Sequence, residues 1–221
     1  MRDTDADWRL WGEADPYFGV LAHDRYRRAN LTDDALSEFW ASGVKDAAEF
    51  AGVLERFFGD FPKASALDFG CGVGRLSRGM ARLCDQVTGL DVSPGMLAEA
   101  AVGAPANTTF VHALDEGQTF DWINSIIVFQ HIPPERGYEI LDGLLQRVNF
   151  GGAISLHFTV AGPEGSADGP VGAMMMFAYD LSRIARMLAA RDIRLTLMQH
   201  TDHGGYEGVI VYGRRRRLTA A

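Results

Sequence analysis

An α/β fold with a mostly parallel sheet covered by helices on both faces is predicted by three observations. Short apolar runs alternate with helical patterns along most of the chain, which is how parallel sheets are built. The first of these runs leads directly into a glycine turn, Gly70-x-Gly72-x-Gly74. Polar or glycine positions then recur where successive strands should end: Asp68 with the turn, Asp91, Asp115, and Gln130-His131. Ligands of such sheets bind outside the carboxyl ends of the strands, near the switch in strand order, so these segments converge on one edge.

Residues 8 to 31 hold Trp8, Trp11, Tyr17 and Phe18, then the run from Arg25 to Arg28, with no clean period. They read as a cap over the core. A lid over a pocket is the functional alternative, with Tyr17 and Tyr26 as its candidate substrate contacts, since water exclusion would serve group transfer. Thr32 before Asp33 and Asp34 marks a helix start. Phe50, Val53, Leu54 and Phe57 follow at amphipathic helical spacing and are expected in the core. Residues 1–44 are taken as a helical appendage, 45–213 as the main domain and 214–221 as a basic tail.

The first strand carries Ala66, Leu67 and Phe69, with Asp68 at its carboxyl end. In the turn that follows, glycine admits close approach of a ligand and positive φ at little cost. Leu76, Met80 and Leu83 then mark a helix whose first N–H groups face the turn. Val87 to Leu90 form a second strand ending at Asp91, and Ser93-Pro94 starts the next helix. Asp91 reads either as a ribose-binding acid or as a helix cap. Thr109 to Val111 form a third strand, leading to His112, Ala113, Leu114 and Asp115.

Ile123 and the run Ile126 to Phe129 make a fourth strand, ending in Gln130, His131 and Ile132. Tyr138, Leu141, Leu144, Leu145 and Val148 follow on a helix that Gly151-Gly152 should end. His131 suits deprotonation of a nucleophile, having an ordinary pKa of about 6.5, and it equally suits packing or capping. Ala153 to Phe158 are a fifth strand, with His157 read as a core histidine. The Gly- and Pro-rich residues 161–173 form a long loop. Met174 to Phe177, Met175 among them, could line a substrate pocket or a helix core. Leu181, Ile184, Ala185 and Leu188 mark a last helix. Strands from Ile193 to Met198 and from Gly208 to Tyr212 close the chain as an antiparallel hairpin, making seven strands. His200 and His203 in the connection are not read as metal ligands, because no ligand spacing elsewhere supports them. Arg214 to Arg217 read as a solvated tail.

The stretch AlaSerAlaLeuAspPheGlyCysGlyValGlyArg from 64 to 75, with Asp91 and the PheGlnHisIlePro run from 129, resembles the class I S-adenosylmethionine-dependent methyltransferases. Arg75 stands where a dinucleotide fingerprint needs its last glycine, and Asp68 would repel a pyrophosphate yet suit an ammonium or sulfonium group. The resemblance covers roughly residues 45 to 213 and implies a Rossmann-like, doubly wound fold. It implies that Asp68 and the Gly70–Gly72 backbone hold the methionyl part of S-adenosylmethionine, Asp91 the ribose, and Ala113, Leu114 and Asp115 the adenine. Cys71, Arg75, Val92, Met96, Phe129 and Gln130 join the cofactor-binding set. His131 becomes a candidate general base and, with Tyr17, Tyr26 and Met175, a candidate substrate contact. The usual Gly-Asp pair is missing at 112–115.

Composition narrows the alternatives. At 221 residues and 47% hydrophobic, the chain has the makings of one globular domain. The net charge of −8 disfavours a nucleic-acid surface. No apolar run reaches the ~20 residues of a membrane span, and Asp3, Asp5 and Asp7 stand where a secretion signal would be basic. A cytoplasmic location and a small-molecule partner are the expectations. The 2 cysteines, Cys71 and Cys84, give no disulfide framework. A nicotinamide-dependent reductase of the short-chain kind needs Tyr-x-x-x-Lys, but the only lysines, Lys45 and Lys63, precede the glycine turn. A non-catalytic S-adenosylmethionine-binding protein stays open, since this fold hosts many roles. An aminopropyl transferase lacks the acids a polyamine would need.

Overall fold

The structure is a computed structural model that describes residues 3–162, 174–194, 196–203 and 205–216. Three helices lead in: α1 (Thr4–Ala14), α2 (Pro16–Val20) and α3 (Asp33–Phe58). The alternating body follows as β1 (Ser65–Phe69), α4 (Arg75–Met80), β2 (Gln86–Leu90), α5 (Pro94–Ala101), β3 (Thr108–Val111), β4 (Phe120–Ser125), α6 (Pro134–Gln146) and β5 (Val148–Ala161). Then come α7 (Leu181–Ala190), β6 (Thr196–His203) and β7 (Tyr206–Arg214). The seven strands form one sheet in the order β3-β2-β1-β4-β5-β7-β6. Strands β1 to β5 pair in parallel, and β7 runs antiparallel between β5 and β6. The expected doubly wound sheet with a terminal hairpin is present, and its order switches between β1 and β4.

Strand alternation sorts the core into two layers. Leu67, Ile123, Ile154 and Val211 face the cluster that holds Leu141 and Leu145 of α6 with Ile184 and Leu188 of α7. Their neighbours Ala66, Trp122, Ala153 and Tyr212 face Leu54 of α3 and Met80 of α4. A third cluster joins Tyr26, Phe39, Val73 and Met96 to Trp8, Trp11, Tyr17 and Val20. It ties the N-terminal helices to the glycine turn.

Several boundaries differ from the sequence reading. Helix α3, whose Thr32 cap accepts from Ala35 N–H, passes unbroken through the 44/45 division, so the appendage and the main domain share one helix. Phe57, expected in the core, lies near its end and is exposed. Strand β4 stops at Ser125, because Ile127 adopts φ +61 and Phe129–His131 turn into a 3₁₀ segment. An apolar run alone cannot show where pairing ends. Val148 opens β5, and Gly151 and Gly152 lie inside that strand instead of ending α6. His200, Asp202 and His203 belong to β6. Met174–Phe177 are not helical.

Arg214–Arg216 are no free tail. Arg214 donates to the carbonyls of Phe58, Gly59 and Gly151, and Arg215 to that of Val148. They satisfy carbonyls where α3 ends and β5 begins. Arg217 and residues 163–173 of the long loop lie outside the described residues.

Candidate active site

A cavity of about 240 Å³ opens at the carboxyl ends of β1, β2 and β4, beside the switch point. Its floor is the turn after β1. Gly70 has φ +72, and a Cβ there would fall 2.4 Å from Val128 Cγ2; Gly72 has φ +52, and a Cβ would fall 2.5 Å from Val20 Cγ2. The turn is therefore clamped between the segment after β4 and the N-terminal helices. Only glycine suits either position.

Four of the turn's N–H groups bond inside the protein. Gly70 and Cys71 donate to the Leu90 carbonyl at 2.8 and 3.1 Å, Gly72 to Asp91 Oδ2 at 2.8 Å and Gly74 to the Cys71 carbonyl at 2.9 Å. A phosphate cradle works by aiming such donors at its ligand. With these four donors turned inward, the turn itself offers chiefly shape, beside the negative charge of the strand-end acids.

Two carboxylates frame the cavity. Asp68 is buried, and it accepts from Ser77 Oγ at 2.6 Å and Asn124 Nδ2 at 3.0 Å. Asn124 Oδ1 in turn accepts from Ser155 Oγ at 2.7 Å, and that oxygen accepts from Trp122 Nε1 at 3.0 Å. This relay across β1, β4 and β5 fixes Asp68, and burial pushes its carboxyl above the ordinary value against the pull of Ser77 and Asn124. Asp91 accepts from Ser93 N–H at 2.8 Å as well as from Gly72. Burial raises its carboxyl too, opposed by those same N–H groups.

The structure brings Asp68, Gly70, Cys71, Gly72, Asp91, Val92, Met96 and His131 to the cavity wall. Arg75 lines it too, but its guanidinium bonds Asp46 at 2.6 Å and Ser42 at 3.0 Å on α3. Burial drives the Cys71 thiol well up, so it is a neutral wall group. Ala113, Leu114 and Asp115 do not line the cavity, where His112 stands instead. Ala113 and Asp115 are exposed, because β3 ends at Val111 and the chain turns outward. Phe129 packs into the core against Phe69 and Phe158, not against the cavity. Gln130 is buried behind His131, held by Thr159 Oγ1 at 3.2 Å.

Neither proposed lid tyrosine reaches the wall. Tyr26 packs edge-on against Phe39, and Tyr17 donates to Glu99 at 3.4 Å. Met175 contributes through its backbone: its carbonyl lies 2.7 Å from His131 Nδ1. A carbonyl can only accept, so Nδ1 carries the proton and Nε2 accepts from Gln130 Nε2 at 3.1 Å. With both ring nitrogens engaged, and burial lowering its pKa to about 4, His131 is a neutral wall residue and not a poised base. Trp8 meets its ring edge-on at 4.8 Å. Sequence reading missed Thr4, Asp5, Trp8, Gly19, Val20, Ile132, Arg136 and Ile140, all on the wall. Of these only Trp8, Gly19 and Val20 lie in the aromatic-dense residues 8 to 31, which have no period to decode.

Switch-point cavity, glycine turn and strand-end acids are the features on which the resemblance to the class I S-adenosylmethionine-dependent methyltransferases rests. The comparisons point the same way: residues 66–152 match the family model described as a methyltransferase domain. The mitochondrial ubiquinone biosynthesis O-methyltransferase of Schizosaccharomyces pombe is 29% identical over 63% of this chain and 45% of its own length. The Serratia proteamaculans ubiquinone biosynthesis O-methyltransferase is 34% identical over 37% of each chain. The chain thus spans less than half the length of these curated relatives. Magnesium protoporphyrin IX methyltransferase from Synechocystis, solved with bound SAH, superposes with a TM-score of 0.67 at 20% identity, covering 96% of this chain and 100% of that one. The SAM-bound amino pentose methyltransferase of Micromonospora echinaspora gives 0.60 at 18%, covering 82% and 95%. At such identities these two share the fold alone.

Proposed function

We propose that the protein moves a methyl group from S-adenosylmethionine to a nucleophile on a small acceptor. The observation that carries this reading is the pairing of Asp68 and Asp91 beside a glycine turn that bonds four of its own N–H groups internally. Negative charge beside a turn with most of its donors engaged suits an amino-acid nucleoside bearing cationic groups and repels a diphosphate. Asp91 would take the ribose hydroxyls, and Asp68 with the Gly70–Gly72 backbone the methionyl end, while Val92 and Met96 supply apolar wall. His112 replaces Ala113–Asp115 as the neighbour expected at the adenine end.

S-adenosylmethionine supplies a methyl group already activated on a sulfonium. The chain's own task is therefore chiefly positioning, for which effective molarities of about 10⁵ M or more are available. Ile126, Ile127, Val128 and Ile132 border the region where an acceptor would lie and exclude water from it. His131, hydrogen-bonded at both nitrogens, shapes that wall. An oxygen acceptor leads among O, N, S and C because the curated relatives are named O-methyltransferases. The acidic charge and the enclosed site favour a small molecule over a nucleic acid. Among the described residues no helix is long and apolar enough to cross a membrane, and we place the protein in the cytoplasm as part of this proposal.

Isothermal calorimetry with S-adenosylhomocysteine and with NADH tests the reading. Binding of the first alone, with transfer of labelled methyl to extracted small molecules, is the expected result. Uptake of NADH and indifference to S-adenosylhomocysteine would overturn it.

A further inference from the structure

We propose that Arg136 is the acceptor-recognition residue, reading a carboxylate on an otherwise apolar acceptor, and that Asp5 occupies its fork until that acceptor arrives. This deepens the methyl-transfer reading and rests on it. Arg136 sits in the first turn of α6, and its Nη1 and Nη2 donate to Asp5 Oδ1 and Oδ2 at 2.7 and 2.8 Å. Two parallel bonds of this kind are how an arginine takes a ligand carboxylate. Asp5 reaches the pair from the first turn of α1, and both residues are on the cavity wall.

The surroundings point the same way. Arg136 and Ile140 lie one turn apart on α6, and Trp8 and Ile132 complete an apolar wall beside the fork. The other wall arginine, Arg75, is buried and held by Asp46 and Ser42. Arg136 keeps about 40% of its side chain exposed and Asp5 20%, so the pair stands at the mouth, where one carboxylate can replace another. A cation in a helix's first turn also opposes the helix dipole, so nothing in α6 itself favours an arginine there; together they attract an anion. Asp3 and Glu135 nearby make a doubly charged phosphate the poorer match. The acceptor class is thus an apolar or aromatic monocarboxylic acid.

The test uses the full chain saturated with S-adenosylhomocysteine and three matched probe pairs: benzoate and benzamide, phenylacetate and phenylacetamide, hexanoate and hexanamide. Calorimetry should find at least one acid bound about tenfold or more tighter than its amide. Arg136→Met should abolish that preference and Arg136→Lys should restore only part of it. Asp5→Asn should tighten binding of the acid about threefold or more, because the competing internal carboxylate is gone. Circular dichroism melts confirm that each variant folds. No acid preference in any pair would refute the proposal. So would Asp5→Asn and Arg136→Met shifting acid binding in the same direction, as they must if the pair merely clamps α1. Failure of the wild type to bind S-adenosylhomocysteine would instead sink the methyl-transfer reading.

Discussion

Asp91 performs two tasks with one carboxylate. It holds Gly72 and Ser93 through their N–H groups, and it faces the cavity. Asp91→Ala should therefore lower S-adenosylhomocysteine affinity at least about tenfold, roughly 1.4 kcal/mol or more, and lower the melting temperature as well. Calorimetry and a thermal melt on the same variant read both, and unchanged affinity would exclude the ribose role. His131 carries a different prediction. Its pKa falls from 6.5 to about 4 in the fold because burial disfavours the charged ring. Between those values the unfolded chain binds the proton and the folded one does not. Stability is then fully present above pH 6.5 and drains away as pH falls toward 4, by on the order of 3 kcal/mol. Urea unfolding from pH 7.5 to 4 should show that loss, and His131→Gln should flatten this part of the profile. Activity in the wild type should show no ionisation near 6.5 that His131→Gln removes.

At the scale of elements, the contact between α3 and α4 is set by backbone approach. A Cβ on Gly43 would fall 2.1 Å from the Arg75 carbonyl oxygen, and one on Gly79 would fall 2.4 Å from the Gly43 carbonyl oxygen. Backbone cannot yield as a flexible side chain would, so Gly43→Ala should destabilise by about 1–3 kcal/mol or more. Gly52 on the same helix meets nothing within 4 Å, and Gly52→Ala should be neutral or stabilise by up to about 1 kcal/mol. Denaturant titration of the two variants separates close packing from helix propensity. In the sequence both are merely glycines in a helical pattern. The end of β4 was hidden for a related reason. Ile126, Ile127 and Val128 continue an apolar run, yet they leave the sheet to wall the cavity, with Ile127 at positive φ. Apolar residues needed by a pocket and apolar residues needed by a core look alike along the chain.

For the molecule as a whole, binding at the switch point links segments far apart in the chain. The cavity is walled by α1 and α2 residues, the turn after β1, the end of β2, the segment after β4, and α6. A ligand seated there binds only the folded chain. At one hundred times its Kd it should add about 2.7 kcal/mol, or roughly 5–10 °C in melting temperature for a chain of this size. Differential scanning with S-adenosylhomocysteine should show this shift, and NADH at equal concentration should not.

The alternation of strands and helices, the glycine turn and the acids at strand ends were legible in the sequence, because each is set by local periodicity or by backbone geometry that a single residue type permits. Asp68, Asp91 and the Gly70–Gly74 turn could be located from neighbours a few positions away. The roles of Arg136, Asp5 and Trp8, the burial of Phe129 and the double hydrogen bonding of His131 could not. Asp5 and Arg136 are 131 positions apart, and His131 meets the Met175 carbonyl across 44. A partner at such a distance leaves no mark in local pattern, and only the packing of α1 and the Met174–Phe177 segment over the sheet edge decides which side chains meet.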